Sequence, residues 1–289
     1  MVRILSFLLT FTILLGACTP SAPRTPTPSG MRTLTVMTHD SFAVSAAVVA
    51  AFEAQNNVKL AFRSAGDTGT ALNRAILANG APLADVFYGV DNTFLSRALE
   101  EDIFIPYDSP LLAGIPESFK LDPQNRLLPV DYGDVCLNVD LAYFSEKQLP
   151  LPTTLDDLLK PEYQGLVVVT NPATSSPGLA FLMATIAQYG DPGYLDYWQA
   201  LRSNGLKVVN DWESAYYTEF TRAGGTSPIV LSYASSPAFA VIYAEPPLET
   251  PPTAAITTAG TCFRQVEFVG ILQGAANQDL AEKWVDFML

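Results

Sequence analysis

The sequence predicts an α/β protein, with a largely parallel sheet covered by helices and laid down in two consecutive blocks. Three observations lead there. Short β-branched and apolar runs alternate with helical segments at close spacing, the pattern of strand–helix–strand units. Polar loops rich in Asp, Ser and Thr recur where strands pass into helices. Apolar residues make up 49% of the chain, enough to cover both faces of such a sheet.

The first block runs over about residues 31–129. Leu34 to Thr38 is an expected strand, His39 to Phe42 a turn, and Ala43 to Gln55 a helix with Val44, Val48, Ala51 and Phe52 on one face. Val58 to Phe62 alternates as a second strand. The loop Gly66 to Thr70 opens into a helix from Ala71 to Ala78, then a strand from Ala84 to Gly89 and a helix from Asn92 to Glu101. The second block, residues 132–252, repeats this grammar. Strands are expected at Tyr132 to Val139, Leu166 to Thr170, Lys207 to Val209 and Ile229 to Tyr233. Helices are expected at Leu155 to Leu159, Leu179 to Tyr189, Tyr194 to Ser203 and Ser214 to Ala223. After a proline-rich excursion, Glu245 to Pro252, a strand from Gln265 to Ile271 and a helix from Gln278 to Met288 close the chain, in the expected manner of a return to the first block.

The N-terminus reads as an export signal. Arg3 precedes an apolar and hydroxyl run from Ile4 to Leu15, too short for a comfortable bilayer span. The run ends in Leu15-Gly16-Ala17-Cys18, which resembles the lipobox of bacterial lipoproteins. That likeness implies removal of residues 1–17 and acylation of Cys18, anchoring the protein to the outer face of the cytoplasmic membrane or in the periplasm. Residues 18–30 are dense in proline and read as a solvated tether. A net charge of −13 and a pI near 4.4 argue against nucleic acid or an anionic membrane surface as partner and suit a cationic ligand. Apart from Cys18, Cys136 and Cys262 remain, an even pair that in an exported chain is a disulfide or two separate buried thiols. With no C-x-x-C and no Cys/His cluster, no zinc site is expected.

In a parallel sheet a ligand sits beyond the carboxyl ends of the strands. Six loops there carry hydroxyls, carboxylates or an aromatic: His39-Asp40-Ser41, Asp67-Thr68-Gly69-Thr70, Gly89 to Asn92 with Asp91, Thr174-Ser175-Ser176, Asp211-Trp212-Glu213, and Tyr233 to Ser236. Singly, such residues are most often helix caps; as a set they mark a site. Trp212 between two carboxylates suits a flat cationic ring held by stacking and cation–π attraction. Tyr233 is equally a ligand contact or the end of a core strand. Of Tyr216 and Tyr217, one is expected to pack inward and the other to face the cleft or solvent. His39, the only histidine, suits ligand contact better than catalysis. No nucleophile elbow, P-loop or dinucleotide fingerprint is present, and no cofactor or enzyme activity is expected.

At these loops the chain resembles the periplasmic thiamine-binding proteins of ABC importers. The stretches that carry the likeness are THDSF (38–42), ALNR (71–74), ADVFYGVDNTFL (84–95), PVDYG (129–133), NPATSSPGLAFL (171–182), DWESAY (211–216), LSYASSPAF (231–239) and QVEFVGIL (265–272), in order along nearly the whole body. The resemblance implies a two-lobed type II periplasmic-binding-protein fold with two crossing hinge strands. One lobe would be residues 31–129 with 262–289 and the other 130–261, with hinges near 130–139 and 262–271. It implies a monomer that delivers thiamine or its mono- or diphosphate to a membrane permease and ATPase. Trp212 and Tyr233 would hold the rings; Asp67, Thr68, Gly69 and Ser175 would meet the hydroxyethyl or phosphate end; Asp40, Asp91 and Tyr132 would line the cleft. His39 stands where relatives are expected to carry tyrosine. The implied hinge puts Cys136 and Cys262 on neighbouring strands, and so implies their disulfide. Members of the family continue past the last helix with an aromatic that lines the site. This chain ends at Leu289, and if that segment is lacking, weaker binding is expected.

Two other readings rank lower. A ferric-iron-binding protein of the same fold would need the tyrosine pair that LSYASS does not supply. An exported hydrolase would have to use Ser175 or Ser176 with His39, without an oxyanion site.

Overall fold

The computed structural model describes residues 30–289; the expected signal peptide, Cys18 and the expected tether up to residue 29 lie outside the described residues. Residues 32–289 form one compact unit. Its strands are β1 (Arg32–Thr38), β2 (Val58–Ser64), β3 (Val86–Asp91), β4 (Phe104–Ile105), β5 (Leu128–Asp140), β6 (Val167–Thr170), β7 (Lys207–Val209), β8 (Ile229–Tyr233), β9 (Thr253–Ala255) and β10 (Phe263–Leu272). Its helices are α1 (Ala46–Asn56), α2 (Thr68–Leu77), α3 (Leu95–Glu100), α4 (Leu141–Lys147), α5 (Ser176–Tyr189), α6 (Gly193–Ser203), the single turn α7 (Trp212–Ser214), α8 (Ser236–Ile242) and α9 (Gln278–Met288).

The strands form one sheet in the order β2-β1-β3-β10-β5-β8-β6-β7, with β4 on β10 and β9 on β5. Each end is parallel, as expected: β1 with β2 and β3, and β6 with β7 and β8. The centre is antiparallel. The long strands β5 and β10 pair with each other and with β8 and β3 on either side. The two α/β blocks are therefore joined edge to edge by the last strand of the chain and the first of the second block.

Side-chain alternation builds a core on both faces of each half. In the first half, Met37, Phe87 and Phe268 pack with Leu72 and Phe94, while Val36, Val86 and Val269 pack on the other face with Phe52 and Trp284. Phe52 meets Trp284 edge-on at 4.9 Å, so α9 does return to the first block. In the second half, Leu137, Val169 and Leu231 face Phe181 and Tyr197, and Val168 and Val230 face Phe220. Cys136 and Cys262 are disulfide-bonded with Cα atoms 4.6 Å apart, at the end of the β5–β10 pairing.

Several boundaries differ from expectation for local reasons. α2 starts at Thr68 rather than Ala71, because Asp67 accepts the Thr68 N–H and caps it. The helix expected over Ser214 to Ala223 is α7, a π turn (Ala215–Glu219) and a 3₁₀ turn (Thr221–Ala223). Buried Phe220 pairs with Ser227 and draws the chain out of helical register. The helix expected at Leu155 is a 3₁₀ turn (Asp156–Leu159), with the Asp157 carboxylate taking the Thr153 and Thr154 N–H groups. β4, α4, α8 and β9 were not expected.

Candidate functional site

The ends of β1, β2, β3, β6, β7 and β8 deliver their loops to one place, and Asp67, in the loop after β2, is its meeting point. The Asp67 carboxylate is 6% exposed and accepts three backbone N–H groups: Thr68 at 2.7 Å and Ser176 at 3.3 Å on Oδ1, and Trp212 at 3.1 Å on Oδ2. The first donor belongs to its own helix; the other two come from the second half of the sheet. Beside it the Thr70 N–H donates to the Thr174 carbonyl at 3.3 Å. Gly69 makes this approach sterically possible, since a Cβ there would stand 2.9 Å from both the Ala173 oxygen and the Thr174 carbonyl carbon.

The aromatic wall comes from the second half. Trp212 stacks on Tyr216 with centroids 5.0 Å apart at 20°, and meets Tyr217 and Tyr233 edge-on at 5.4 and 6.4 Å. Its indole Nε1 donates to Ser232 Oγ at 3.0 Å, and Ser232 bonds Ser236 at 2.8 Å, so the ring is fixed at its polar edge. Tyr216 is half-buried and Tyr217 exposed, the split expected of the pair. A groove of about 870 Å³ opens beside this wall, lined by Trp212, Tyr216, Tyr217, Phe239 and Tyr243, with Ala43 reaching it from the first half.

The floor is acidic. Asp91 on β3, Glu267 on β10 and Asp131 on β5 stand opposite one another across three neighbouring strands. Tyr88 Oη lies 2.6 Å from Glu267 Oε2 and 2.7 Å from Asp131 Oδ2. Its single proton serves one of them at a time. Desolvation of the carboxylate against Tyr88, then the Glu267 charge, pushes Asp131 up to about 6, although the residue as a whole is exposed. Burial also pushes Asp91 up to about 7, although Thr93 and the Phe94 N–H hydrogen-bond its charged form. Glu267 goes the other way. Burial would raise it, but His39, whose Nε2 is 3.6 Å from Oε2, together with Tyr88 and Gln265 holds it below the ordinary carboxylate range. Burial lowers the His39 pKa, and Glu267 outweighs that and raises it. Asp40 and Asp67 are both raised, each chiefly by burial, with Asp211 adding to the first and Asp40 to the second.

The structure thus brings together Asp67, Thr68, Gly69, Asp91, Ser175, Trp212, Tyr216, Tyr233, His39 and Asp40. Ser175 is fully buried, with its hydroxyl on Thr170 Oγ1 at 2.8 Å, and Thr68 Oγ1 donates to the Gly89 carbonyl at 2.9 Å, so both brace the loops. Tyr132 stands apart. It stacks on Phe119 at 4.9 Å and lies under Arg264, and with Asp131 and Leu289 it lines a small groove. Sequence reasoning missed Tyr88, Asp131, Gln265 and Glu267. The available signal was a carboxylate inside an otherwise apolar strand, in PVDYG and in QVEFVGIL.

With this geometry in view, the comparisons are specific. Residues 81–289 match the sequence profile of the bacterial extracellular solute-binding proteins. The chain is 31% identical over 261 residues to the thiamine-binding periplasmic protein of Salmonella typhimurium, spanning 89% of this chain and 75% of that one. Among solved structures it resembles a periplasmic thiamin binding protein with a TM-score of 0.74 at 28% identity, over 91% of this chain and 80% of the other. It superposes equally well, at 0.75 but 22% identity, on the fructose-6-phosphate-bound binding protein AfuA of Actinobacillus pleuropneumoniae, over 90% and 79% of the two chains, a likeness of fold alone. The sheet order, the antiparallel strand pair at its centre and these matches agree: the chain has the mixed α/β type II periplasmic-binding-protein fold and belongs to the bacterial extracellular solute-binding proteins, the non-enzymatic ligand-capturing components of ABC transporters.

Proposed function

We propose that this solute-binding protein captures thiamine or a thiamine phosphate between two lobes and hands it to the permease of its importer. The observation that carries the reading is the pairing of an aromatic wall with an acid-rich floor. Trp212, Tyr216 and Tyr233 adjoin Asp40, Asp67, Asp91, Asp131 and Glu267, with His39 as the one basic side chain in the hydrogen-bonded floor. The thiazolium ring of thiamine is a flat cation, and stacking and cation–π attraction in such a setting contribute roughly 0.5–2 kcal/mol per aromatic side chain. The relatives whose names specify thiamine support the same ligand. In this reading, residues 31–129 with 262–289 form one lobe and 130–261 the other. β5 and β10 bend between them, and Asp67 with its partners Ser176 and Trp212 draws the lobes together. The hydroxyethyl or phosphate group approaches the N-terminal ends of α2 and α5, whose loops Thr68 and Ser175 brace. Cys18 carries the lipid anchor, which metabolic labelling with a radioactive fatty acid and its loss in Cys18→Ser would test.

Tryptophan fluorescence tests the ligand directly. Thiamine added to residues 31–289 gives a saturable, one-to-one quench that is largely lost in Trp212→Phe. A folded protein that shows neither quench nor heat of binding refutes the reading.

A further inference from the structure

A hydrogen-bonded relay runs along β10 from the acidic floor and reaches the aromatic wall at Tyr233 on β8. Glu267 Oε1 accepts Gln265 Nε2 at 2.8 Å, and Gln265 Oε1 accepts the Tyr233 hydroxyl at 3.2 Å. The direction of each bond is dictated by chemistry. Glu267 is ionised beside His39 and already accepts from Tyr88, and a carboxylate can only accept. It therefore takes the amide N–H of Gln265 and leaves the amide oxygen toward Tyr233. Gln265 is 2% exposed, so no bulk water can satisfy the reversed amide. Tyr233 has one proton, and the amide oxygen takes it. Any group that meets this hydroxyl from the cleft meets a lone pair.

We propose that Glu267, acting through Gln265, is a positioning residue that presents the Tyr233 hydroxyl to the cleft as an acceptor only, so that the site selects a ligand bearing an amino donor over its oxo counterpart. The inference rests on the ligand reading above and deepens it. The aminopyrimidine of thiamine carries such a donor, and the 4-oxo analogue puts a carbonyl acceptor in its place. Its neighbours reinforce the selection, because Asp67, Asp91 and Glu267 are the charged groups that act on Tyr233, and all of them are acceptors when ionised. A site with a buried acceptor rejects a ligand that leaves the acceptor unpaired, by far more than it rejects a change in shape.

The test is calorimetric titration at one pH with thiamine and its 4-oxo analogue, using the wild-type chain, Glu267→Gln, Glu267→Asp and Tyr233→Phe. The wild type prefers thiamine by at least about tenfold, equivalent to ~1.4 kcal/mol. Glu267→Gln lets a side-chain amide donate to Gln265, which allows Gln265 to reverse and Tyr233 to turn its proton into the cleft; the preference falls below about threefold or inverts. Glu267→Asp keeps an acceptor-only group and keeps the preference. Tyr233→Phe removes the oxygen and lowers the preference independently of how the position 267 variants fold. Equal binding of the two ligands by the wild type, or a ratio unchanged in Glu267→Gln, overturns the relay while leaving the thiamine reading standing. A merely structural Glu267 would weaken both ligands alike and give that unchanged ratio. A wild type that binds no thiamine overturns the ligand reading, and this inference with it.

Discussion

Replacing Asp91 with asparagine should stabilise the protein at alkaline pH, although it removes a fully buried side chain's charge from the candidate site. Asp91 Oδ1 accepts the Thr93 and Phe94 N–H groups at 3.1 and 3.3 Å and the Thr93 hydroxyl at 2.6 Å, and an asparagine oxygen can keep all three. Asp91 Oδ2 accepts no hydrogen bond, so the amide N–H₂ that replaces it breaks none. The charge is what costs. Burial raises Asp91 from an ordinary value near 4 to about 7. At about 1.4 kcal/mol per tenfold change in proton affinity this amounts to ~4 kcal/mol against the ionised form, and relaxation on charging reduces it to ~2 kcal/mol. The folded carboxyl keeps its proton to higher pH than the unfolded one. The folded state therefore binds more protons between roughly pH 4 and pH 7, and stability falls as pH rises through that window. Urea unfolding of ligand-free protein from pH 5 to pH 8 reads this out. The wild type loses stability toward pH 8, while Asp91→Asn has a flatter profile and is ~2 kcal/mol more stable at pH 8. Parallel profiles, or a variant less stable at pH 8, would refute the reasoning.

Other outcomes follow from the same geometry. Gly69→Ala places a methyl 2.9 Å from the Ala173 oxygen and should hold α2 away from the 171–175 loop, weakening ligand binding by ~1–3 kcal/mol with little change in urea midpoint; unaltered affinity would count against closure at this contact. Reducing the Cys136–Cys262 bond, which spans 126 residues, should destabilise the body by ~2–5 kcal/mol, seen as a lower melting temperature in dithiothreitol that the double serine variant no longer shows. Lowering pH from 8 to 5 should weaken binding of a cationic ligand, since Asp91 and Asp131 take up protons near 7 and 6; calorimetry finding tighter binding at pH 5 would oppose an acidic floor.

Much of this was legible in the sequence because it is local. Strand–helix alternation and the polar loops after each strand follow from period and propensity, so Asp67, Asp91, Ser175, Trp212 and Tyr233 could be gathered before any contact was known. What could not be read was pairing between distant strands. β10 lies between β3 and β5, and only that placement sets Glu267 opposite Asp91 and Asp131, brings His39 to it, and turns the centre of the sheet antiparallel. Tyr132 shows the same gap in reverse. PVDYG marks a cleft segment, but Asp131 turns its carboxylate to Tyr88 while its neighbour Tyr132 stacks on Phe119. The turn at 214–223 escaped for a different reason, since its helical propensity yields to the burial of Phe220.

The most direct test of the account is calorimetric titration of residues 31–289 with thiamine, thiamine monophosphate and thiamine diphosphate, repeated with Trp212→Ala. The account predicts one-to-one binding of at least one of the three, weakened at least tenfold, or ~1.4 kcal/mol, by the substitution. A folded wild-type protein that binds none of them, or a variant that binds as tightly as the wild type, would contradict it.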